Sequence, residues 1–424
     1  MLDEYDAVCG RVFLGGSLAE KCVIMEDGHV VGVSPSPGLG ARVYNAAGSL
    51  VLPGLLDIHV HLRGLRLSYK EDERTGTLAA LSAGITLVVD MPNTEPPLRT
   101  PSSIEEKLSA LRSRSATDYA VYAGIPGDEA VLREVEELPI AGFKMYPEDI
   151  ESRMWVASRM KPGTLLVLHP ELPEALKPVA DDERQRAVMR GGHLEAAAVD
   201  LVAGLLGGRL RVHVTHASTP STLRAARRNG FTVDTTVNYI MELNCLEECM
   251  CKVNPPRRDP WRMMLALLRG DVDCLVSDHA PHSWMEKRED YLICPAGIPG
   301  LEHWPWMLFS LVVHGALSLE DFVSLTSTRP ARILGLGGVY GSLEPGFRAN
   351  IVVVDAGEAW RVTLNEYSKA RHTPYWMAER HGVVEAVFIG GCMAYNGCAA
   401  ERSAYNPINP FETVGGGGVR GSRV

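Results

Sequence analysis

The sequence predicts an α/β chain, a TIM (β/α)8 barrel inserted into a small β-sandwich module that both chain ends build together. Three observations carry this. Eight β-rich apolar runs alternate with helical stretches between residues 51 and 339, the signature of βα units around a parallel sheet. Short, Gly-punctuated strand patterns stand on either side, at 1–50 and 340–400, leaving 401–424 as a peripheral tail. Four of the eight runs finish in His or Asp and a fifth carries Lys144 two residues from its end, and barrel enzymes carry their chemistry at such strand ends.

The N-terminal part reads as a hairpin. Lys21 to Met25 and Val30 to Val33 flank Asp27-Gly28, a dipeptide suited to a tight two-residue turn. Leu52-Pro53-Gly54 then changes the pattern, and the apolar runs follow: Leu55 to His61, Ile85 to Met91, Tyr119 to Ile125, Ala141 to Tyr146, Thr164 to His169, Leu210 to His216, Phe231 to Thr235 and Val272 to Asp278. After the turn-rich Gly341 to Gly346, strand patterns resume at Asn350 to Asp355 and Val384 to Ile389.

The bulk properties exclude several classes. With 46% hydrophobic and 22% charged residues, the 424-residue chain has the composition of a folded globular protein. Its formal net charge is -10 and its Lys and Arg are scattered, so there is no footprint for nucleic acid. No run of 18 apolar residues occurs, and Met1 to Val8 is acidic without a leader pattern, so the expectation is a cytoplasmic protein without a membrane span. Nine cysteines without a dense framework fit a reducing compartment. Cys245, Cys249 and Cys251 cluster at spacings unlike those of zinc sites; they read as structural or incidental, with a disulfide, as in some hyperthermophiles, the alternative.

His59 and His61 point to one face of the first strand because strand side chains alternate, so two imidazoles converge as a metal requires. Lys144 sits in the fourth run, where a buried ammonium is costly. A depressed pKa would make the amine nucleophilic enough to capture carbon dioxide, giving a carbamate that bridges two cations; a lysine reaching the barrel mouth or pairing with an acid is the other reading. The fifth run ends in His169 and the sixth in His216, while His213 points toward the helices and reads as structural. Asp278 ends the eighth run, as a turn cap or, in this company, a ligand and base.

These segments resemble the amidohydrolase superfamily and, within it, the dihydroorotase family over essentially the whole chain. His59-Val60-His61-Leu62-Arg63, Met91-Pro92-Asn93-Thr94, Phe143-Lys144-Met145-Tyr146, Asn254-Pro255-Pro256-Arg257, Asp278-His279-Ala280-Pro281-His282 and Pro295 to Glu302 carry the likeness. The resemblance implies two zinc ions held by His59, His61, Lys144, His169, His216 and Asp278, with Lys144 carboxylated and bridging, and Asp278 as acid/base. It implies substrate contacts from His61, Arg63, Asn93, Asn254, His282 and the main chain at Ala296 and Gly297. The implied reaction is the reversible cyclisation of N-carbamoyl-L-aspartate to dihydroorotate in pyrimidine synthesis. His279 is expected to support the site and Arg257 to be structural. Ser277 stands where the family commonly has Thr, and Pro170 separates His169 from Glu171. Allantoinases and hydantoinases share the metal set without needing Arg63; an inactive barrel serving as a scaffold for aspartate carbamoyltransferase is the reading from another class. A homodimer, or association with that enzyme alongside activity, stays open.

Overall fold

The computed structural model describes residues 5–176, 179–245, 247–397 and 407–414. Eight parallel strands follow one another in sequence order: β5 (Leu55–Val60), β6 (Ile85–Asp90), β7 (Asp118–Gly124), β8 (Gly142–Met145), β9 (Leu165–Leu168), β10 (Arg211–Val214), β11 (Thr232–Thr236) and β12 (Cys274–Val276). Every residue of β5 to β9 is buried, as expected for parallel strands covered on both faces. Helices such as Glu73–Ser82, Pro101–Arg114 and Gly192–Leu206 connect them.

No continuous ladder joins β12 to β5; a side chain and an isolated backbone bridge between Val60 and His279 make the seam instead. Asp57 accepts from His59 N at 3.1 Å and, across the seam, from Ser277 N at 3.0 Å. One layer higher, His61 N donates to His279 O at 2.8 Å. Burial pushes the Asp57 carboxyl up to about 7, against the pull of these donors.

The chain ends form one continuous seven-stranded sheet, with strands named in chain order: β1 (Ala7–Leu14), β2 (Ser17–Glu26), β3 (His29–Ser34), β4 (Val43–Pro53), β13 (Ile351–Arg361), β14 (Glu379–Ile389) and β15 (Cys392–Tyr395). Its order is β15-β14-β13-β4-β1-β2-β3, so β4 from the N-terminal part pairs with β13 from the C-terminal part. Asp27 (φ 48°) and Gly28 (φ 78°) make the β2–β3 turn, which needs two consecutive positive φ angles. The sheet has its own core, including Val8, Val23, Val51, Ile351 and Phe388. Against the barrel, the buried carboxylate of Asp118 gathers Tyr340 Oη at 3.0 Å, Arg348 Nε at 2.8 Å, Asn350 Nδ2 at 3.1 Å and Ile408 N at 3.0 Å. The described part of the tail is therefore tied down at the start of β7; Gly415 to Gly418 lie outside the described residues.

The cysteines correct the expectation of a reduced set. Disulfides join Cys9 to Cys22, Cys245 to Cys251 and Cys249 to Cys294. Spacing along the chain does not report these pairs, because Cys9–Cys22 bridges directly opposed residues of β1 and β2, and Cys249 meets Cys294 from the following loop.

Candidate metal centre and adjoining cavity

At the C-terminal edge of the barrel, the strand ends converge on a cavity of about 400 Å³. Its wall includes His59, His61, Lys144, His169, His216 and Asp278, together with Arg63, Asn93, Asn254, Ala296 and Gly297. His169, His216 and Asp278 lie just past the ends of β9, β10 and β12, so their backbones have left the ladder. His216 (φ 38°), Asp278 (φ 48°) and Arg63 (φ 54°) adopt left-handed conformations that L residues seldom take, local strain of the kind found at functional sites.

The imidazoles are close-packed. His59 Nε2 and His61 Nε2 stand 3.3 and 3.4 Å from the same Asp278 oxygen. Ring centroids of His59 and His216 are 5.1 Å apart, and those of His169 and His216 are 4.5 Å apart. Burial drives His59 and His216 well below the usual histidine range and lowers His61 and His169, so these rings are neutral near pH 7 and keep lone pairs available. Burial also pulls the Lys144 amine down to about 7. Lys144 Nζ and His216 Nδ1 are buried without a hydrogen-bond partner, a costly state that a bound group would relieve.

Hydrogen bonds outside this ring of donors turn three of the imidazoles, those of His59, His61 and His169. His61 Nδ1 donates to Asn93 Oδ1 at 2.6 Å, which leaves Nε2 toward Asp278. His59 Nδ1 meets Thr215 Oγ1, and Thr215 in turn donates to Asp234, which is held by His213 at 2.8 Å. His169 Nε2 donates to Glu171 at 2.7 Å, which leaves Nδ1 for the cavity; Glu171 is clamped by Arg190. His169 and Arg190 outweigh burial and hold Glu171 at about 2. Neutral nitrogens, three of them on rings oriented by an outer partner, together with one carboxylate and an orphaned amine, fit borderline divalent cations such as zinc.

Arg63 is buried beside the donors, its backbone carbonyl held at 3.0 Å by Lys107, which also pairs with Glu73 and Asp90 at 2.9 Å each. Gly64 must be glycine here, because a Cβ would lie 1.8 Å from Glu73 Oε1. His282 stands one layer back rather than on the wall. Lys70 Nζ donates to its Nδ1 at 3.1 Å, and its Nε2 lies 3.1 Å from Ala296 O and 3.3 Å from Arg63 Nη2. Asn254 Oδ1 accepts from Arg190 at 2.9 Å. His213 packs away from the cavity as expected. His279, 0% exposed, lies 3.4 Å from Glu71, and Arg257 bonds the carbonyls of Asn238 and Met241 at 2.8 and 2.9 Å.

Sequence reasoning missed Thr215, Asp234, Glu171 and Arg190. Glu171 alone carried a signal, two residues beyond His169; nothing along the chain links Asp234 to His59.

The chain matches the amidohydrolase family over residues 50–393. It is 40% identical over 397 residues to a dihydroorotase of Aeropyrum pernix, covering 89% of this chain and 91% of that protein. It is 38% identical to a dihydroorotase of Sulfolobus acidocaldarius, covering 82% and 85%. Among solved structures, an L-hydantoinase (dihydropyrimidinase) from Arthrobacter aurescens superposes with a TM-score of 0.84 at 23% identity, covering 95% of this chain and 98% of that one. A dihydropyrimidinase from Brevibacillus agri gives 0.82 at 23% identity, covering 93% and 96%. At that identity the structural likeness speaks for the fold alone.

Proposed function

This chain belongs to the amidohydrolase family and, within it, to the dihydroorotases, and from that premise we propose that it interconverts N-carbamoyl-L-aspartate and dihydroorotate as a step of pyrimidine synthesis. The observation that carries the substrate is Arg63, a buried guanidinium on the wall beside His61 and Asp278. A carboxylate beside the reacting ring pairs with it through charge-assisted bonds; a hydantoin or dihydropyrimidine without that carboxylate leaves it unmatched.

We propose that two zinc ions are held by His59, His61, His169, His216, Asp278 and a carboxylated Lys144. The amine, pulled down to about 7, adds to the carbon of carbon dioxide and loses a proton. When bound, the cations supply Lewis acidity and lower the pKa of a water molecule to about 7. The chain's own residues do the rest. Arg63 orients the ring by its carboxylate, with Asn93 and Asn254 flanking it and main-chain groups of Ala296 and Gly297 closing over it; His282 acts from behind Ala296. Asp278 takes the proton of the attacking water as its oxygen bonds to the ring carbonyl carbon, then delivers it to the departing ring nitrogen as the amide bond breaks. Cyclisation runs the same transfers backward with loss of water. The division of labour follows: residues 51–339 form the catalytic domain, 1–50 and 340–400 a composite supporting domain, and 401–424 a tail.

No helix among the described residues is long and apolar enough to cross a membrane. A water-borne substrate supports placing the enzyme in the cytoplasm.

The test compares hydrolysis of dihydroorotate, hydantoin and dihydrouracil before and after chelation. Turnover of dihydroorotate that chelation abolishes supports the reading. Efficient turnover of hydantoin with none of dihydroorotate sinks the substrate, and full activity after complete removal of metal sinks the metal centre.

A further inference from the structure

Two loops bring Asn254, Ala296 and Gly297 to the cavity. The first follows β11 and the second follows β12, and the disulfide Cys249–Cys294 joins them. Asn254 lies five residues beyond Cys249, and Ala296 two beyond Cys294. The same junction is knitted by polar contacts. Gly297 N donates to Lys252 O at 2.8 Å, and Lys252 Nζ donates to Tyr291 O at 2.6 Å and Cys294 O at 2.8 Å. From below, the buried ammonium of Lys287 donates to Pro295 O and Gly297 O, both at 2.9 Å. Cys245–Cys251 closes a small loop around Cys249 and limits how far that anchor can drift.

We infer that Cys249 and Cys294 are positioning residues, whose bond fixes the spacing between the Asn254 edge and the Ala296–Gly297 edge of the cavity. This rests on the reading that these groups contact substrate. Without the bond, the hydrogen bonds at Lys252 still join the two loops, but they hold the spacing of the edges less firmly than a covalent link does. Binding then includes ordering them, so the cost falls on substrate affinity. The reacting end of the site is carried by β5, β8, β9, β10 and β12, and the staple does not touch it.

The test uses the full-length metal-loaded enzyme and the double variant Cys249→Ser/Cys294→Ser, with Cys9→Ser/Cys22→Ser as control, and reads steady-state kinetics with dihydroorotate and hydrogen exchange by mass spectrometry. The expected result is a KM raised about tenfold with kcat within about twofold, and faster exchange over residues 294–300, in the first variant only. Treating the native enzyme with dithiothreitol until that bond opens, two electrons and two protons passing from the dithiol as it cyclises to its own disulfide, reproduces the KM shift. Unchanged KM and exchange overturn the proposal. So does a fall in kcat with KM unmoved, an equal effect in the control, or a native peptide map lacking the 249–294 bridge. If the unmodified enzyme turns over no dihydroorotate, the proposed function fails, and the exchange comparison alone decides the staple.

Discussion

Single side chains set the affinity of this site for its cations and its substrate, and several consequences are measurable one residue at a time. Lys144→Ala removes the amine that has no hydrogen-bond partner among the described residues, and turnover falls by at least about 100-fold with loss of bound zinc; unchanged activity discards the carbamate. Arg63→Met raises the KM for dihydroorotate about 10–100-fold, since a hydrogen bond to a charged group contributes ~1.5–3 kcal/mol; an unchanged KM shows that the carboxylate docks elsewhere. Thr215→Val cuts the link from His59 to Asp234 while nearly preserving volume, and zinc affinity falls about 10–100-fold in titrations against a competing chelator. The residues facing the cavity were legible in the sequence, because a His, Lys or Asp that ends an apolar run has few other reasons to be there. Their outer partners were not. A Thr or Asp within a strand looks like any other, and only folding brings Asp234 on β11 beneath His59 on β5.

At the scale of elements, the first barrel helix, Glu73–Ser82, begins at Asp72, whose carboxylate accepts from Arg74 N at 2.9 Å and Thr75 N at 3.0 Å. Burial pushes this carboxyl up, but Lys369, the Thr75 N–H and Arg114 outweigh it and hold it at about 2. The ionised form is thus favoured in the folded state. Its contribution is complete above about pH 4, the ordinary range of an unfolded aspartate, and is lost as the pH falls toward 2. Asp72→Ala lowers stability by about 1–2 kcal/mol at neutral pH and removes that part of the acid dependence, as urea titrations at pH 7 and pH 3 show. The eight barrel strands were readable to within a residue or two because parallel strands buried on both faces are uninterrupted apolar runs. Strand ends were less so: Tyr146, His169, His216 and Asp278 lie just past the ladders to which the pattern assigned them. The β12–β5 seam was invisible for the opposite reason, since Asp57 closes it with a side chain rather than a ladder.

For the whole molecule, ligand binding and folding are one equilibrium. Stripping the cations abolishes turnover and lowers Tm, and returning zinc at 100 times its Kd restores about 2.7 kcal/mol per independent site; an apo-enzyme with unaltered Tm shows that no cation is held by the folded barrel. The chain ends also impose an order of events. In the composite sheet, β4 has β1 on one side and waits for β13 on the other, and β13 begins only at Ile351. At ~5–20 residues per second of synthesis, the open edge of β4 stands unpaired for roughly 15–60 s while the barrel emerges from the ribosome. Newly made chains therefore spend that interval with an adhesive strand exposed, and a message truncated before residue 351 yields a product destined for chaperones or aggregates however well its barrel is encoded.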